Sequence, residues 1–324
     1  MNKILVVALD NLGDVVMATS VIEPLRRYLP GVRIGFWTKS YAARVLENQG
    51  LDFAHAADPF WDGAPGRGRG PVRDFLRALA EVRAVRYDTA LVLNTEWRRA
   101  LACRLAAVPR RIGFGQRKSS FFLTEAVAPG AAGHQIDSHR RLLEQALGQA
   151  VPGEACLPKL RFSDADRRIG RDWVARQGWK DGTVVIVHPF TGDVFKCWPL
   201  PRWRELMRRV GAQTSKVHFA VACAAGEEAV LKPYLADLPM GSASVVVPLD
   251  EVRALLSLAR AFVGGDSGIG HMAAAADVPV LSLFGPTSPA RYEPRGRAAV
   301  RVIERNPLAG LDVDTVAAQL LALL

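Results

Sequence analysis

The 324-residue chain predicts an α/β protein of two Rossmann-like domains, each on a parallel sheet, facing each other across a cleft. Three observations carry this. Short apolar runs alternate with amphipathic stretches of about ten or more residues, the pattern of βαβ units. The second half repeats the plan of the first. The length corresponds to two domains of roughly 150 residues, and residues 152–159 (PGEACLPK) make a Pro- and Gly-containing seam with little periodicity. The domains are accordingly placed at 1–155 and 156–324, with the last helix free to pack back on the first.

Residues 4–9 (ILVVAL) form an uninterrupted apolar run, as a strand buried on both faces requires. A loop at 10–14 leads into a helix over about 15–28, which stops before Pro30-Gly31. Residues 33–37 read as a second strand and 41–49 as a second helix. A helix over about 73–85 precedes a third strand at 90–93. Between them, 62–71 contains GAPGRGRGP, glycine-rich and basic, and is expected to be a mobile loop. In the second half, strands are expected at 183–188, 217–223, 244–247, 261–263 and 280–284. The intervening helices fall at 201–210, 227–235, 252–260 and 268–276, and 312–324 closes the chain. In such sheets ligands bind outside the carboxyl ends of the strands, so chemistry is expected in the cleft.

Lys and Arg number 42 against 32 Asp and Glu, a formal charge of +10. The first 160 residues carry 22 basic and 15 acidic residues, which suggests an anionic partner. The four cysteines are far apart, without a CxxC pair, which fits a reducing compartment and argues against a disulfide framework or zinc knuckle. The N-terminal apolar run is too short for a signal peptide, and no stretch approaches the roughly 18–20 apolar residues that span a bilayer. The expectation is a cytoplasmic protein with at most peripheral membrane contact.

Four segments carry chemistry. Asp10-Asn11-Leu12-Gly13-Asp14 follows the first strand. Asp14 at the mouth of the helix is either a helix cap or a general base for a substrate hydroxyl. Gly264-Gly265-Asp266-Ser267-Gly268-Ile269-Gly270-His271 runs from strand to helix and offers an anion cradle of backbone N–H groups. His271, one turn into that helix, is either a satisfied structural histidine or a ligand contact. The loop with Thr191, Gly192 and Lys196 sets a point charge fit for a phosphate above the sheet. Trp198-Pro199 in the same loop is expected to pack rather than touch ligand. Gly226-Glu227-Glu228 follows a strand. There a glutamate either grips ribose hydroxyls or merely complements the helix dipole. No GxGxxG dinucleotide fingerprint is present.

These segments together resemble the bacterial heptosyltransferases, the family-nine glycosyltransferases of lipopolysaccharide core assembly. The opening ILVVALDNLGDVVMATSVI, the Lys196-x-Trp-Pro element and GGDSGIGHMAAAADVPVLSLFGP occur in the family's order from residue 4 to about 297. The resemblance implies a GT-B architecture, with an acceptor-binding first domain and a nucleotide-sugar-binding second domain. It implies inverting, metal-independent transfer of heptose from ADP-heptose, or another nucleotide sugar, to an inner-core acceptor, with no cofactor. By the same resemblance Asp14 is the base and Lys196 contacts the donor phosphates. Asp266, Ser267 and Gly268 bind the donor sugar and diphosphate, with His271 behind them. Thr191 and Gly192 belong to the phosphate loop, Glu227 or Glu228 to the ribose site, and Pro248 and Leu249 to the adenine pocket.

Asp10, Arg67, Arg69, Arg73, Arg98, Arg99, Arg117 and Lys118 are candidate acceptor contacts, set against a reading in which they are a solvated basic surface. The chain departs from the pattern at Ala8, at Asp10 where members often place Ser, and at Ser267, which retains the hydroxyl of the common Thr. A second carboxylate at Asp10 is expected to share a proton with Asp14 or raise its pKa. Alternative readings are the same chemistry on a soluble acceptor, or a non-catalytic nucleotide or nucleic-acid binder. The last is disfavoured because no stacking aromatics interleave with the basic residues.

Overall fold

The structure, a computed structural model, describes residues 1–63, 68–130, 133–214, 217–224, 226–235 and 244–324, without the side chains of Arg117 and residues 244–250. The chain divides into two compact units, Met1–Leu160 and Arg161–Leu324. Each holds a six-stranded sheet in which every pairing is parallel.

In the first unit the elements are β1 (Lys3–Ala8), α1 (Leu12–Ala18), α2 (Ile22–Tyr28), β2 (Arg33–Thr38), β3 (Phe53–Ala56), α3 (Val72–Val85), β4 (Thr89–Val92), α4 (Trp97–Leu105), β5 (Arg110–Phe114), β6 (Glu125–Val127) and α5 (Gln135–Leu147). The strand order is β3-β2-β1-β4-β5-β6. The chain moves outward from β1 to β3 and then crosses to β4, so the order reverses between β1 and β4. There Val7 lies opposite both Trp37 and Val92. Ile4, Leu5, Val6 and Val7 are fully buried, which is why β1 reads as a continuous apolar run. Its alternate side chains Leu5 and Val7 join Trp37, Phe75, Val82, Val92 and Cys103 in one core.

The second unit contains α6 (Asp164–Arg176), β7 (Val184–His188), α7 (Leu200–Gln213), β8 (His218–Cys223), α8 (Glu228–Leu235), β9 (Ser244–Pro248), α9 (Leu249–Leu256), β10 (Ala261–Gly265), α10 (Gly268–Ala275), β11 (Val280–Phe284), α11 (Pro289–Tyr292), β12 (Val300–Glu304) and α12 (Val313–Leu321). The order β12-β11-β10-β7-β8-β9 repeats the first sheet's winding, with the reversal between β7 and β10. The closing helix buries Val316, Ala317 and Leu320 in this unit's own core with Leu206, Val210 and Leu281.

Two sequence expectations need correction. The helix read at 15–28 begins at Leu12 and is broken by a 3-10 turn at Thr19–Val21. Pro24, in the first turn of α2, has no N–H to continue the ladder. The segment at 41–49 is a 3-10 helix, Ser40–Leu46, whose buried Ala42, Val45 and Leu46 need little more than one turn of the tighter spiral. The glycine-arginine loop lies in part, at 64–67, outside the described residues.

Candidate functional site

In the second unit the site is built where β7 and β10 end side by side, with Gly264 opposite His188. Glycine is required there. A Cβ on Gly264 would lie 2.6 Å from Phe262 Cζ and 2.9 Å from the His188 carbonyl oxygen, and one on Gly265 would lie 2.7 Å from Thr191 Cγ2. The two bare backbones thus let the loop after β7 come down on the segment after β10.

That approach assembles the polar cluster. Lys196 Nζ donates to Asp266 Oδ2 at 2.9 Å, and Thr287 Oγ1 donates to the same oxygen at 2.7 Å. Ser267 is the N-cap of α10 in extended conformation, yet its side chain makes no cap bond. The hydroxyl instead meets His188 Nδ1 at 3.1 Å. Burial pushes the His188 imidazole down to about 4, so it is neutral near pH 7 and holds the serine as a neutral partner. With the α10 N-terminus, Lys196 and two hydroxyls brought together, the arrangement suits an anion that also presents hydroxyl groups.

The loop after β7 is itself built. Thr191 Oγ1 donates to the Asp193 carbonyl at 2.6 Å, and Asp193 Oδ1 accepts from Phe195 N at 3.0 Å, capping the 3-10 turn Val194–Lys196. Gly192 is exposed. Cys197 is half-buried, its Sγ 3.6 Å from Thr191 Oγ1, whereas Cys103, Cys156 and Cys223 are buried. Trp198 is buried and donates from Nε1 to the Leu311 carbonyl at 3.1 Å, the packing role expected of it.

The other expected donor contacts are more dispersed. His271 is buried within α10. Glu227 closes the turn after β8, accepting from Ala224 N at 2.6 Å, while Glu228 is exposed in the first turn of α8. Pro248 ends β9 and Leu249 begins α9; their side chains lie outside the described residues.

In the first unit the corresponding point is the carboxyl end of β1 and β4. Asn11, not Asp14, is the N-cap of α1, and Asp14 stands within the first helical turn, where the helix dipole favours a carboxylate. Tyr41 Oη accepts from Leu12 N at 3.0 Å and so satisfies an N-terminal donor of the same helix. Burial, then the nearby charges of Asp14 and Asp10, push the Tyr41 hydroxyl up to about 12.

Asp10 is not left as a bare second carboxylate beside Asp14. Its Oδ1 accepts from Asn94 Nδ2 at 2.8 Å, and its Oδ2 pairs with Arg99 Nη1 at 2.5 Å. Its charge is balanced by a buried guanidinium. Arg98 lies over the Trp97 ring at 4.7 Å and bonds Glu96, and Lys118 stands 5.8 Å from the same ring. Arg69 and Arg73 are exposed near the start of α3, and Arg73 lies 3.7 Å from Asp74. Arg67 and the Arg117 side chain lie outside the described residues. Sequence reasoning missed His188, Thr287 and Asn94. Only His188 left a signal, as a polar residue ending an otherwise apolar strand.

The family model of glycosyltransferase family 9 (heptosyltransferase) matches residues 75–315. The sequence is 27% identical over 332 residues to lipopolysaccharide heptosyltransferase 1 of Pseudomonas aeruginosa, covering 95% of this chain and 85% of that one. It is 25% identical to lipopolysaccharide heptosyltransferase 3 of Escherichia coli K12, covering 87% and 82%. Among solved structures, a family 9 glycosyltransferase from Veillonella parvula superposes with a TM-score of 0.85 at 18% identity over 99% of this chain and 97% of that one. The ADP-heptose lipopolysaccharide heptosyltransferase II of E. coli superposes with a TM-score of 0.80 at 21% identity, covering 99% and 98%. An E. coli heptosyltransferase solved with ADP-2-deoxy-2-fluoro heptose gives 0.76 at 19% identity, covering 99% of each chain. The fold is the GT-B fold of these enzymes.

Proposed function

The chain belongs to glycosyltransferase family 9, the heptosyltransferases, and we propose that it transfers heptose from ADP-heptose to a lipopolysaccharide inner-core acceptor, with inversion and without a metal ion. The second unit takes the donor and the first takes the acceptor. The observation that carries this reading is the cluster of Lys196, Asp266, Thr287 and Ser267 at the start of α10. A cation and a helix N-terminus there suit a diphosphate, and a carboxylate beside them suits sugar hydroxyls.

In the reaction Asp14 removes the proton of the acceptor hydroxyl. That oxygen attacks the anomeric carbon from the face opposite the diphosphate, and the bond to ADP breaks with its electron pair leaving on the phosphate. Lys196 and the α10 dipole stabilise the charge that develops there, which is how the reaction proceeds without a metal. Glu228 or Glu227 holds the ribose. The excess of basic residues in the first unit supports an acidic acceptor, met at the inner face of the cytoplasmic membrane. No helix of the described residues is long and apolar enough to cross a membrane.

Calorimetric titration with ADP, GDP and UDP, followed by a transfer assay with ADP-heptose, tests the reading. Selective binding of ADP and transfer to an inner-core glycolipid are expected. Preference for UDP or GDP overturns the donor. Transfer only to soluble glycans overturns the acceptor.

A further inference from the structure

The carboxyl edge of the first sheet holds a second group of charges that the proposed transfer step does not use. Lys39 follows β2, Asp62 follows β3, and Arg99 lies in the first turn of α4. The Lys39 and Arg99 side chains are only 2% and 3% exposed. Lys39 Nζ donates to the Gly63 carbonyl at 3.1 Å, and the charges of two buried cations so close to one another are balanced by anions at contact distance. One is Asp10, which both Arg99 and Asn94 hold. The other is Asp62, 3.0 Å from Lys39 Nζ and 3.7 Å from Arg99 Nη2.

The two acids differ in kind. Asp10 is 15% exposed, fixed through both oxygens and part of the framework. Asp62 is 41% exposed and touches Arg99 only loosely. Arg99 also keeps a buried Nε with no hydrogen-bond partner, a guanidinium donor that Asp62 does not use. A carboxylate that is half in water, against two cations that are not, stands where a ligand anion would stand. The location agrees, because the residues come from the ends of β1, β2 and β4, beside the helix that carries Asp14.

We propose that Lys39 and Arg99 form a subsite for one anionic group of the acceptor, a carboxylate or a phosphate, and that Asp62 occupies it until that group displaces it. The inference rests on the reading of the first unit as the acceptor domain. It adds that acceptors lacking an acidic group at this position are poor substrates, because displacing Asp62 without replacing its charge leaves the buried Lys39 with no anion beside it, while Arg99 keeps Asp10.

The test measures binding of inorganic phosphate and of D-glucuronate, at matched ionic strength, to the wild-type protein and to Asp62→Asn. Asp62→Ser is measured beside it, so that one poorly folding variant does not end the experiment. Asp74→Asn serves as a control that removes the same charge from α3. If Asp62 fills the subsite about nine-tenths of the time, removing it tightens the apparent Kd of the preferred anion about tenfold. Asp74→Asn leaves that Kd unchanged, and adding Lys39→Met to the Asp62 variant abolishes the gain. Tighter phosphate binding identifies a phosphate subsite, and tighter glucuronate binding a carboxylate subsite. Equal binding by wild type and both Asp62 variants, or an equal gain in Asp74→Asn, overturns the proposal. The titration uses no donor. Its failure alongside selective ADP binding therefore removes the subsite alone, and loss of ADP selectivity alongside a positive result removes the donor reading alone.

Discussion

At the scale of single residues, the roles proposed for Asp14 and Lys196 are separable. Asp14 lies in the first turn of α1, and the Tyr41 hydroxyl satisfies a backbone donor at the start of that turn. Asp14→Asn keeps the shape and removes the proposed base. Turnover is expected to fall by about 10²–10⁴ while calorimetry finds ADP affinity unchanged. Lys196→Ala removes a charge-assisted bond to Asp266 worth about 1.5–3 kcal/mol and leaves that carboxylate uncompensated where the diphosphate is proposed to bind. ADP binding should weaken at least about tenfold in the same titration, and an unchanged affinity would refute the assignment. Both residues stood out in the sequence, since each sits in a short motif. The ion pairs around them did not. Asp266 lies 70 residues from Lys196, and Arg99 lies 89 from Asp10, and no spacing within either motif announces those ion pairs.

At the scale of elements, legibility followed apolar continuity. The buried central strands β1, β7, β8 and β11 read directly from unbroken apolar runs. β5, β6 and β12 did not. β6 has three residues, β5 opens with two arginines, and β12 (VRVIE) is half-buried with an exposed last residue. Helix α6 was also missed, although Ser163 and Asp166 form a reciprocal capping box at its start. Its body is too polar for an apolar stripe to stand out. The strand–turn–helix unit from β10 to α10 was legible because its glycines are forced by close approach. Gly264→Ala drives a methyl group into the Phe262 ring and the His188 carbonyl, an overpacking worth about 1–3 kcal/mol. Scanning calorimetry should show a Tm lowered by roughly 2–10 °C, with weakened ADP binding, since the same carbonyl belongs to the strand end that holds Ser267.

At the scale of the whole molecule, each unit has its own apolar core, and each core carries a buried neutral imidazole. Burial pushes His139 in the first unit and His188 in the second down to about 4. The unfolded chain has its histidines near 6.5. Between pH 6.5 and 4 it therefore binds protons that the native state refuses, and stability falls as the pH is lowered through that window. Each histidine contributes on the order of 3 kcal/mol across it. Thermal midpoints should drop steeply from pH 7 to pH 4.5, and His188→Gln should make the decline shallower. A flat profile would show that the two rings titrate as they do in water.

The half-buried Cys197, next to Lys196 in a chain whose other three thiols are buried, makes this protein its own reporter. A maleimide dye under limiting conditions should label one position without any engineered cysteine. A nucleotide bound along this loop, as proposed, should slow that labelling, so the rate of dye uptake becomes a direct optical measure of nucleotide occupancy. Labelling at the same rate with and without saturating ADP would mean that the bound nucleotide leaves this loop uncovered.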